Sequence, residues 1–315
     1  MVRSGGSRIA FVFPGQASQK AGMAAELLDG ESAARAVFER ASQVLGLDLA
    51  DICARADDHL LSRTDVTQPA LLTTCIAWLS VLRERGVLPQ MVAGHSLGEF
   101  SAWVATEALD FESAVRLVRR RGEIMEDAGE RNPGGMSAVI GLADRQVVEM
   151  CAEAGRSAVV VAANFNCPGQ VVVSGEPEGL AKVAELAKRA GGRTISLRVS
   201  GAFHSPLMED AARAFAALVA DVPVQDPKAP VVANATAEPV TDAAGVREAM
   251  TKQMTSPVLW TASVRRLIED GATLFVEVGP GAVLTNLTGR ISADARAAPV
   301  GTPEQLQELL EEVKP

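Results

Sequence analysis

A short motif in the first third of the chain predicts a nucleophile on a sharp turn between a strand and a helix. The motif is Gly94-His95-Ser96-Leu97-Gly98, with Met91-Val92-Ala93 before it and Glu99-Phe100-Ser101-Ala102-Trp103-Val104-Ala105 after it. A serine with glycine two residues away on each side, in this context, is the pattern of a nucleophile elbow. The glycines let a second backbone segment pass close to the turn. With 27 glycines in 315 residues the motif alone is a hypothesis, so the rest of the chain must supply a base and a substrate site.

The composition argues against several functional classes. The 315 residues are 48% hydrophobic, which is enough for a large core in one or two domains. A net charge of −9 argues against nucleic-acid binding as the main function. The longest apolar segment, residues 69–82, is interrupted by Thr73, Thr74 and Ser80. It therefore predicts a buried helix and no membrane partner.

The cysteines and the N-terminal residues predict a cytoplasmic protein. The four cysteines are far apart and form no C-x-x-C pair, which argues against disulfides and against a zinc site. Residues 1–7 lack the apolar segment of a signal peptide. We therefore expect a reducing compartment, no metal and no permanently bound cofactor.

The apolar runs predict an α/β protein. Short buried strands are expected at residues 8–13, 91–94, 231–234 and 274–279, with helical segments between them. Such alternation favours a parallel sheet that is covered by helices.

The middle of the chain predicts a second, smaller unit. Strands are expected at residues 137–142, 159–163, 170–174 and 193–199, and helices at 144–154, capped by Asp144, and at 176–190. Residues 164–169 are expected to form the loop between the two central strands. The order strand, helix, strand, strand, helix, strand is typical of ferredoxin-like units. We therefore predict a large α/β core, residues 1–133 and 203–315, with an inserted ferredoxin-like (βαββαβ) subdomain at residues 134–202.

Elimination among three histidines identifies a base for Ser96. His59 lies in a charged, solvated segment. His95 is adjacent to Ser96 on the turn, where neighbouring side chains diverge. His204 lies in a loop at the predicted junction of the two units, where active sites often form. We therefore predict that His204 is the general base, against the alternative of a purely structural histidine.

The order of these residues differs from that of a lipase-like hydrolase. In that class the histidine follows an acid and lies near the chain end. Here about a third of the chain follows His204, including two predicted strands. A serine hydrolase or thioesterase is therefore the alternative from another class, not the first choice.

Arg121 is an unexpected charge on an apolar helix face. The helix that follows Asp110 has a stripe at i, i+3, i+4 and i+11 formed by Ala114, Leu117, Val118 and Met125. Arg121 falls in the middle of this stripe, and no acid shares it. A buried guanidinium needs a partner, which is either a carboxylate elsewhere in the fold or a ligand anion. Its planar fork suits a carboxylate ligand.

The chain resembles the malonyl-CoA:acyl-carrier-protein transacylases over almost its whole length. Besides the elbow motif, the resemblance rests on short motifs in the same order as in that family. They are Phe13-Pro14-Gly15-Gln16-Ala17-Ser18-Gln19, Thr67-Gln68-Pro69-Ala70-Leu71, Arg121-Gly122, Asn164-Phe165-Asn166, Pro168-Gly169-Gln170, Phe203-His204 and Glu277-Val278-Gly279-Pro280-Gly281. One position departs from the family, which usually has glycine where this chain has Ala17.

The resemblance implies a fold and a set of site residues. The fold is a hydrolase-like parallel-sheet core with a ferredoxin-like subdomain. Ser96 is the implied nucleophile, His204 the base, and the main-chain carbonyl of Gln253 orients the histidine. The implied oxyanion hole is formed by the backbone N–H groups of Gln16 and Leu97. The implied substrate-binding residues are Arg121, which holds the malonyl carboxylate, Phe203, which selects malonyl over methylmalonyl, and Gln68, Asn164 and Asn166.

The implied reaction is transfer of malonyl from malonyl-CoA, through a malonyl-serine ester, to the phosphopantetheine thiol of an acyl carrier protein. Fatty-acid synthesis is the default pathway, and a trans-acting acyltransferase of polyketide synthesis is the nearest alternative. A non-catalytic carrier-binding module is a third class, disfavoured by the intact site residues. Because carriers are acidic, a basic cluster that includes Lys188 and Arg189 is the predicted dock. A monomer is expected.

Overall fold

Two β-sheets organise the chain, and the computed structural model describes residues 8–313. The expectation for residues 1–7 lies outside this range. The strands are β1 (Ile9–Phe13), β2 (Met91–Gly94), β3 (Gly135–Ile140), β4 (Val160–Cys167), β5 (Gln170–Gly175), β6 (Arg193–Ser196), β7 (Val231–Val232), β8 (Pro239–Val240), β9 (Leu274–Val278) and β10 (Arg296–Val300). The helices are α1 (Ala25–Gly30), α2 (Ser32–Leu45), α3 (Leu49–Arg55), α4 (Asp58–Ser62), α5 (Thr64–Glu84), α6 (Gly98–Ala105), α7 (Phe111–Arg131), α8 (Asp144–Ala154), α9 (Pro177–Arg189), α10 (Glu209–Asp221), α11 (Ala243–Lys252), α12 (Trp260–Glu269), α13 (Val283–Ile291) and α14 (Pro303–Glu312).

The larger sheet is almost entirely parallel, which confirms the predicted α/β class. Its strand order is β10-β9-β1-β2-β7-β8, and only the β7–β8 pair is antiparallel. Alternate residues of β1 point to opposite faces. Phe11 and Phe13 pack into the cluster that contains α5, α6 and α7, whereas Ala10 and Val12 pack against α12 and α13. Burial on both faces explains why these strands are continuous apolar runs.

The parallel arrangement brings the loops that carry polar residues to one edge. The ends of β1 and β2 are in register, with Phe13 opposite Gly94. In such sheets the loops after the carboxyl ends of the strands form the ligand crevice. The Gln16 loop and the Ser96 turn therefore start side by side.

The smaller sheet is antiparallel, with strand order β4-β5-β3-β6. Helices α8 and α9 pack on one face over a separate apolar cluster that includes Val139, Val171 and Val183. The element order is strand, helix, strand, strand, helix, strand, as the sequence pattern indicated.

Two local expectations in this region are wrong. Residues 164–167, expected in a loop, continue β4, because they pair with β5 and because Asn164 forms a parallel bridge with Val258. These partners satisfy the backbone of a polar segment that has little strand propensity of its own. Asp144 is the first residue of α8 and not its cap; Ala143 holds the cap position.

The periodicity of the sequence did not indicate β8 and β10. The edge strand β10 contains Ala297, Ala298 and Pro299, all poor strand formers, and is set by its parallel pairing with β9. Helix α5, expected to be buried, is the one described helix with the length and hydropathy of a membrane span, and 94% of its most apolar window is buried inside the protein.

Close contact between the Ser96 turn and the end of β1 requires glycine at position 98. The His95 N–H donates to the Phe13 carbonyl at 2.9 Å. A Cβ on Gly98 would lie 2.0 Å from that same Phe13 oxygen, which is far below a van der Waals contact. The two backbones can therefore meet only without a side chain here.

We expect Gly98→Ala to lower the free energy of unfolding by about 1–3 kcal/mol, because the added methyl forces the two backbones apart. Gly289→Ala is the matched control, since Gly289 lies in α13 with nothing within 4 Å of its Cβ position. The control should gain about 0.5–1 kcal/mol from helix propensity. Urea denaturation measures both changes, and an unaffected Gly98→Ala protein would contradict the close approach.

Candidate active site

Ser96 lies on the turn between β2 and α6 with its backbone in the left-handed region, at φ +49°. This conformation costs a residue with a side chain about 1–2 kcal/mol. Hydrogen bonds on both sides of the residue stabilise it. The Ser96 N–H donates to Oδ1 of Asn234 at 2.6 Å, and the Ser96 carbonyl accepts from Nε2 of Gln253 at 3.0 Å. The strained turn is therefore held by side chains from two distant loops.

His204 lies against the Ser96 hydroxyl, with Nε2 2.8 Å from Oγ. Its other ring nitrogen, Nδ1, lies 3.0 Å from the carbonyl oxygen of Gln253 and 3.1 Å from that of Ser256. Carbonyl oxygens only accept, so Nδ1 carries the proton and Nε2 is free to accept from the hydroxyl. Burial, followed by the charge of Arg121, lowers the pKa of His204 to about 3, so the ring is neutral at neutral pH.

The other two histidines do not contact the Ser96 hydroxyl. His95 points its Nε2 to Oδ1 of Asn166 at 2.9 Å, and its ring lies 5.5 Å from that of Trp260. His59 is exposed on α4. The elimination that singled out His204 therefore agrees with the geometry.

Arg121 is 1% exposed, and its guanidinium lies beside the Ser96 hydroxyl. Nη1 donates to the side-chain oxygen of Gln68 at 2.9 Å, and Nη2 donates to that of Gln253 at 2.8 Å. Nη2 also lies 3.3 Å from Ser96 Oγ. Among residues 8–313, no carboxylate forms an ion pair with Arg121, and its Nε has no hydrogen-bond partner. The sequence left two alternatives for the partner of Arg121, a carboxylate elsewhere in the fold or a ligand anion. The described residues do not provide the carboxylate.

The charge of Arg121 is kept despite burial. Desolvation lowers the pKa of Arg121 to about 10, and the nearby Glu99 carboxylate opposes this change. The guanidinium carbon also lies 5.6 Å from the centroid of the Phe100 ring, a favourable cation–π distance. The site thus holds a cation with unused donor capacity next to a serine.

The backbone N–H groups of Gln16 and Leu97 are available as donors. Gln16 follows β1, and Leu97 is the N-cap of α6. Within the described residues neither N–H has a hydrogen-bond acceptor. Two free N–H groups, one of them at a helix N-terminus, suit a developing oxyanion.

Ala17, which replaces the glycine usual in the family, has φ +82° and an exposed side chain. Its N–H donates to the side-chain oxygen of Gln19 at 2.7 Å. The methyl therefore adds strain in the left-handed region but points to solvent and leaves the adjacent Gln16 N–H free.

The remaining residues expected to bind substrate differ in their contacts. Gln68 holds Arg121 and donates its Nε2 to Met125 Sδ at 3.4 Å. Phe203 is buried in the main apolar cluster directly before His204. Asn166 is engaged by His95, whereas Oδ1 of the buried Asn164 has no partner among the described residues. Over the same residues no cluster of His, Cys, Asp or Glu is arranged to hold a metal.

The basic residues predicted to dock a carrier lie on α9, away from these contacts. Lys188 and Arg189 are exposed in its last turn. Arg189 pairs with Glu185 one turn earlier on the same helix.

Asn234, Glu99 and Ser256 belong to the site, and the sequence did not single them out. Asn234 follows β7 at the same sheet edge as Ser96, which is where polar residues of a parallel sheet collect. Glu99 is a charge at the start of an otherwise apolar helix, and it is 1% exposed. A charge within an apolar run was therefore an available signal, as it was for Arg121.

Comparison with known proteins gives the same identification throughout the chain. The acyl transferase domain family matches residues 10–313. The malonyl CoA-acyl carrier protein transacylase of Bacillus subtilis is 41% identical over 312 residues, covering 98% of each chain. The protein of that name from Escherichia coli K12 is 40% identical over 307 residues, covering 97% of this chain and 99% of the relative.

Solved structures agree. An acyl carrier protein S-malonyltransferase from Vibrio cholerae superposes with a TM-score of 0.93 at 38% identity, covering 96% of this chain and 100% of the other. A malonyl-transacylase in complex with a type II polyketide-synthase acyl-carrier protein has a TM-score of 0.94 at 39% identity, covering 97% and 100%. Sequence, site geometry and fold thus converge, and the chain belongs to the malonyl-CoA:acyl-carrier-protein transacylase family of acyl transferases.

Proposed function

We propose that this chain transfers malonyl from malonyl-CoA to the phosphopantetheine thiol of an acyl carrier protein through a malonyl ester on Ser96. The buried guanidinium of Arg121, 3.3 Å from the Ser96 hydroxyl and without a carboxylate partner among the described residues, carries this proposal. It provides a counter-charge for an acyl chain that ends in a carboxylate.

The chemistry follows from the hydrogen bonds at Ser96. His204 Nε2 accepts the hydroxyl proton while Oγ attacks the thioester carbonyl. The free N–H groups of Gln16 and Leu97 stabilise the oxyanion. The protonated His204 then donates to the departing CoA sulfur, and the carrier thiol attacks the ester in the reverse sequence. No permanently bound cofactor takes part, and the kinetics are ping-pong.

Selectivity follows from the side chains around Arg121. An acetyl group cannot pair with the guanidinium, so its binding leaves a buried charge uncompensated, a mismatch that discriminates strongly. Phe203 limits room for an α-methyl group beside His204. Gln68, Asn164 and Asn166 line the acyl site.

The architecture that supports this function is a hydrolase-like core, residues 1–133 and 203–315, with a ferredoxin-like subdomain at residues 134–202. The strand order β4-β5-β3-β6 supports the ferredoxin-like assignment, because the first strand lies between the third and the last. His204 follows the second boundary directly. The four buried free thiols fit a cytoplasmic location.

Fatty-acid synthesis is the pathway that we propose, following the resemblance to the malonyl-CoA:acyl-carrier-protein transacylases. The second candidate is a trans-acting acyltransferase that supplies malonyl to polyketide synthesis. It is supported by the solved complex of a relative with a type II polyketide-synthase carrier protein.

We expect intact-mass measurement to detect a malonyl adduct after mixing with malonyl-CoA, and no adduct in Ser96→Ala. Ser101→Ala is the matched control, since Ser101 is a buried serine on α6, close to Ser96 in the chain, and should retain the adduct. His204→Ala should slow adduct formation by about 10²–10⁴-fold through loss of the base. An adduct that persists in Ser96→Ala would refute the nucleophile, and faster release of free malonate than transfer would favour a hydrolase.

Arg121→Ala should reduce malonyl transfer far more than acetyl transfer, because only malonyl pairs with the guanidinium. The ratio of the two single-turnover rates measures this effect. Arg120→Ala is the control on the same helix, since Arg120 is exposed and pairs with Glu123. Equal losses for both acyl groups would contradict the role of Arg121 as a carboxylate clamp.

Charge reversal at Lys188 and Arg189 should raise the apparent KM for the carrier protein and leave the kinetics of malonyl-CoA unchanged. The acidic carrier is expected to dock on this basic end of α9. Reversal of the exposed Arg55 and Arg213 changes the net charge equally and serves as the control. A change confined to malonyl-CoA kinetics would exclude this surface as the dock.

A further inference from the structure

Glu99 is a buried carboxylate that the proposed reaction does not use. It is 1% exposed at the start of α6, three residues after Ser96. Its Oε1 accepts from the Asn234 N–H at 2.7 Å, and its Oε2 accepts from Nε2 of Gln253. Both oxygens therefore face donors, and the arrangement fits the ionised carboxylate.

The Gln253 side chain links Glu99 to Arg121. Its Nε2 donates to Glu99 and to the Ser96 carbonyl, and its Oε1 accepts from Arg121 Nη2 at 2.8 Å. A flipped amide would place its oxygen against two acceptors and its NH₂ against the guanidinium. The hydrogen-bond network thus permits one orientation of this amide.

We propose that Glu99 is a positioning residue for malonyl transfer: it fixes the Gln253 amide, which aims the Arg121 guanidinium at the acyl carboxylate. The inference rests on the proposed function of the site. Glu99 contacts neither Arg121 nor the reacting atoms, so it acts through Gln253. The Asn234 N–H fixes the other carboxylate oxygen, and Asn234 in turn holds the Ser96 turn through its side chain.

Glutamine at position 99 cannot reproduce these contacts. It has one acceptor oxygen, whereas the Asn234 N–H and Gln253 Nε2 both need an acceptor. Either one donor is left facing an NH₂ group, or the Gln253 amide flips and turns its NH₂ toward Arg121. Both outcomes disturb the guanidinium that malonyl needs, whereas an acetyl group makes no use of it.

Charge alone predicts the opposite result. The Glu99 carboxylate repels the malonyl carboxylate across Gln253, so a purely electrostatic role would make malonyl transfer faster in Glu99→Gln. Positioning makes it slower, and the sign of the change separates the two roles.

The experiment measures single-turnover acylation of Ser96 by malonyl-CoA and by acetyl-CoA with intact-mass detection. In Glu99→Gln the malonyl-to-acetyl rate ratio should fall by about tenfold or more, the scale of a mismatched buried hydrogen bond. Glu277→Gln is the matched control. Glu277 is a buried carboxylate that accepts the N–H groups of Leu284 and Thr285 at the start of α13, so its loss should reduce stability without changing the ratio.

The pH dependence of the wild-type ratio gives a test that needs no variant. Burial raises the pKa of Glu99 to about 7, so Glu99 gains a proton as the pH falls through this value and one oxygen stops accepting. The charged group that acts on the Glu99 carboxyl from a neighbouring element is Arg121 on α7, which keeps its charge with a pKa of about 10. Burial lowers the pKa of both histidines of the site, His95 and His204. The malonyl-to-acetyl rate ratio should therefore decrease as the pH is lowered from 8 to 6.

An unchanged or increased ratio in a folded Glu99→Gln protein overturns the inference. If this variant does not fold, a wild-type ratio that stays constant between pH 8 and pH 6 overturns it. If the wild-type protein forms the malonyl adduct and either of these results is obtained, only the role of Glu99 is refuted. If the wild-type protein forms no malonyl adduct, the proposed function and this inference are both refuted.

Discussion

The burial of the Arg121 guanidinium beside Ser96 is the constraint around which the site is arranged. A buried cation without a counter-ion is costly, and the described residues offer it neutral acceptors, the amide oxygens of Gln68 and Gln253 and the Ser96 hydroxyl. Amide oxygens stabilise the charge without neutralising it. A direct ion pair would have stabilised the buried charge more strongly. It would also have occupied the N–H donors that the proposed substrate needs. The negative charge that acts on Arg121, on Glu99, is held one amide away.

The reacting residues carry backbone strain that other contacts offset. Both Ser96 and His204 have positive φ angles, +49° and +57°. Strain of this kind persists where the surroundings over-determine the conformation. At Ser96, Asn234 and Gln253 bind the N–H and the carbonyl of the strained residue, and at His204 two carbonyls hold the ring. The proposed nucleophile and base are thus positioned before any substrate arrives.

The sequence predicted the parts of this protein whose signals are local. The buried strands, the elbow at Ser96 and the misplaced charge at Arg121 follow from patterns within one element. Glu99 was missed although its charge within an apolar run is a local signal, whereas Asn234 was missed because its role depends on contacts between loops that are far apart in the chain. The continuation of β4 through Asn164 and the edge strand β10 escaped for the same reason, since pairing partners and not propensity determine them. The His95 ring contacts Asn166 and not the Ser96 hydroxyl, because a tight turn separates adjacent side chains whatever the fold.

In the proposed mechanism, main-chain atoms assist the chemistry and side chains decide the acyl group. The histidine is oriented by the main-chain carbonyls of Gln253 and Ser256, and the oxyanion is bound by two backbone N–H groups. Substitution of the side chains at these positions therefore leaves the main-chain carbonyls and N–H groups in place. Arg121, Gln68 and Phe203 act through their side chains and are open to substitution. Gln253 belongs to both sets, because its carbonyl serves the base and its amide serves Arg121. A change of its side chain therefore removes the contacts to Arg121 and to the Ser96 carbonyl but leaves the orientation of His204 to the backbone.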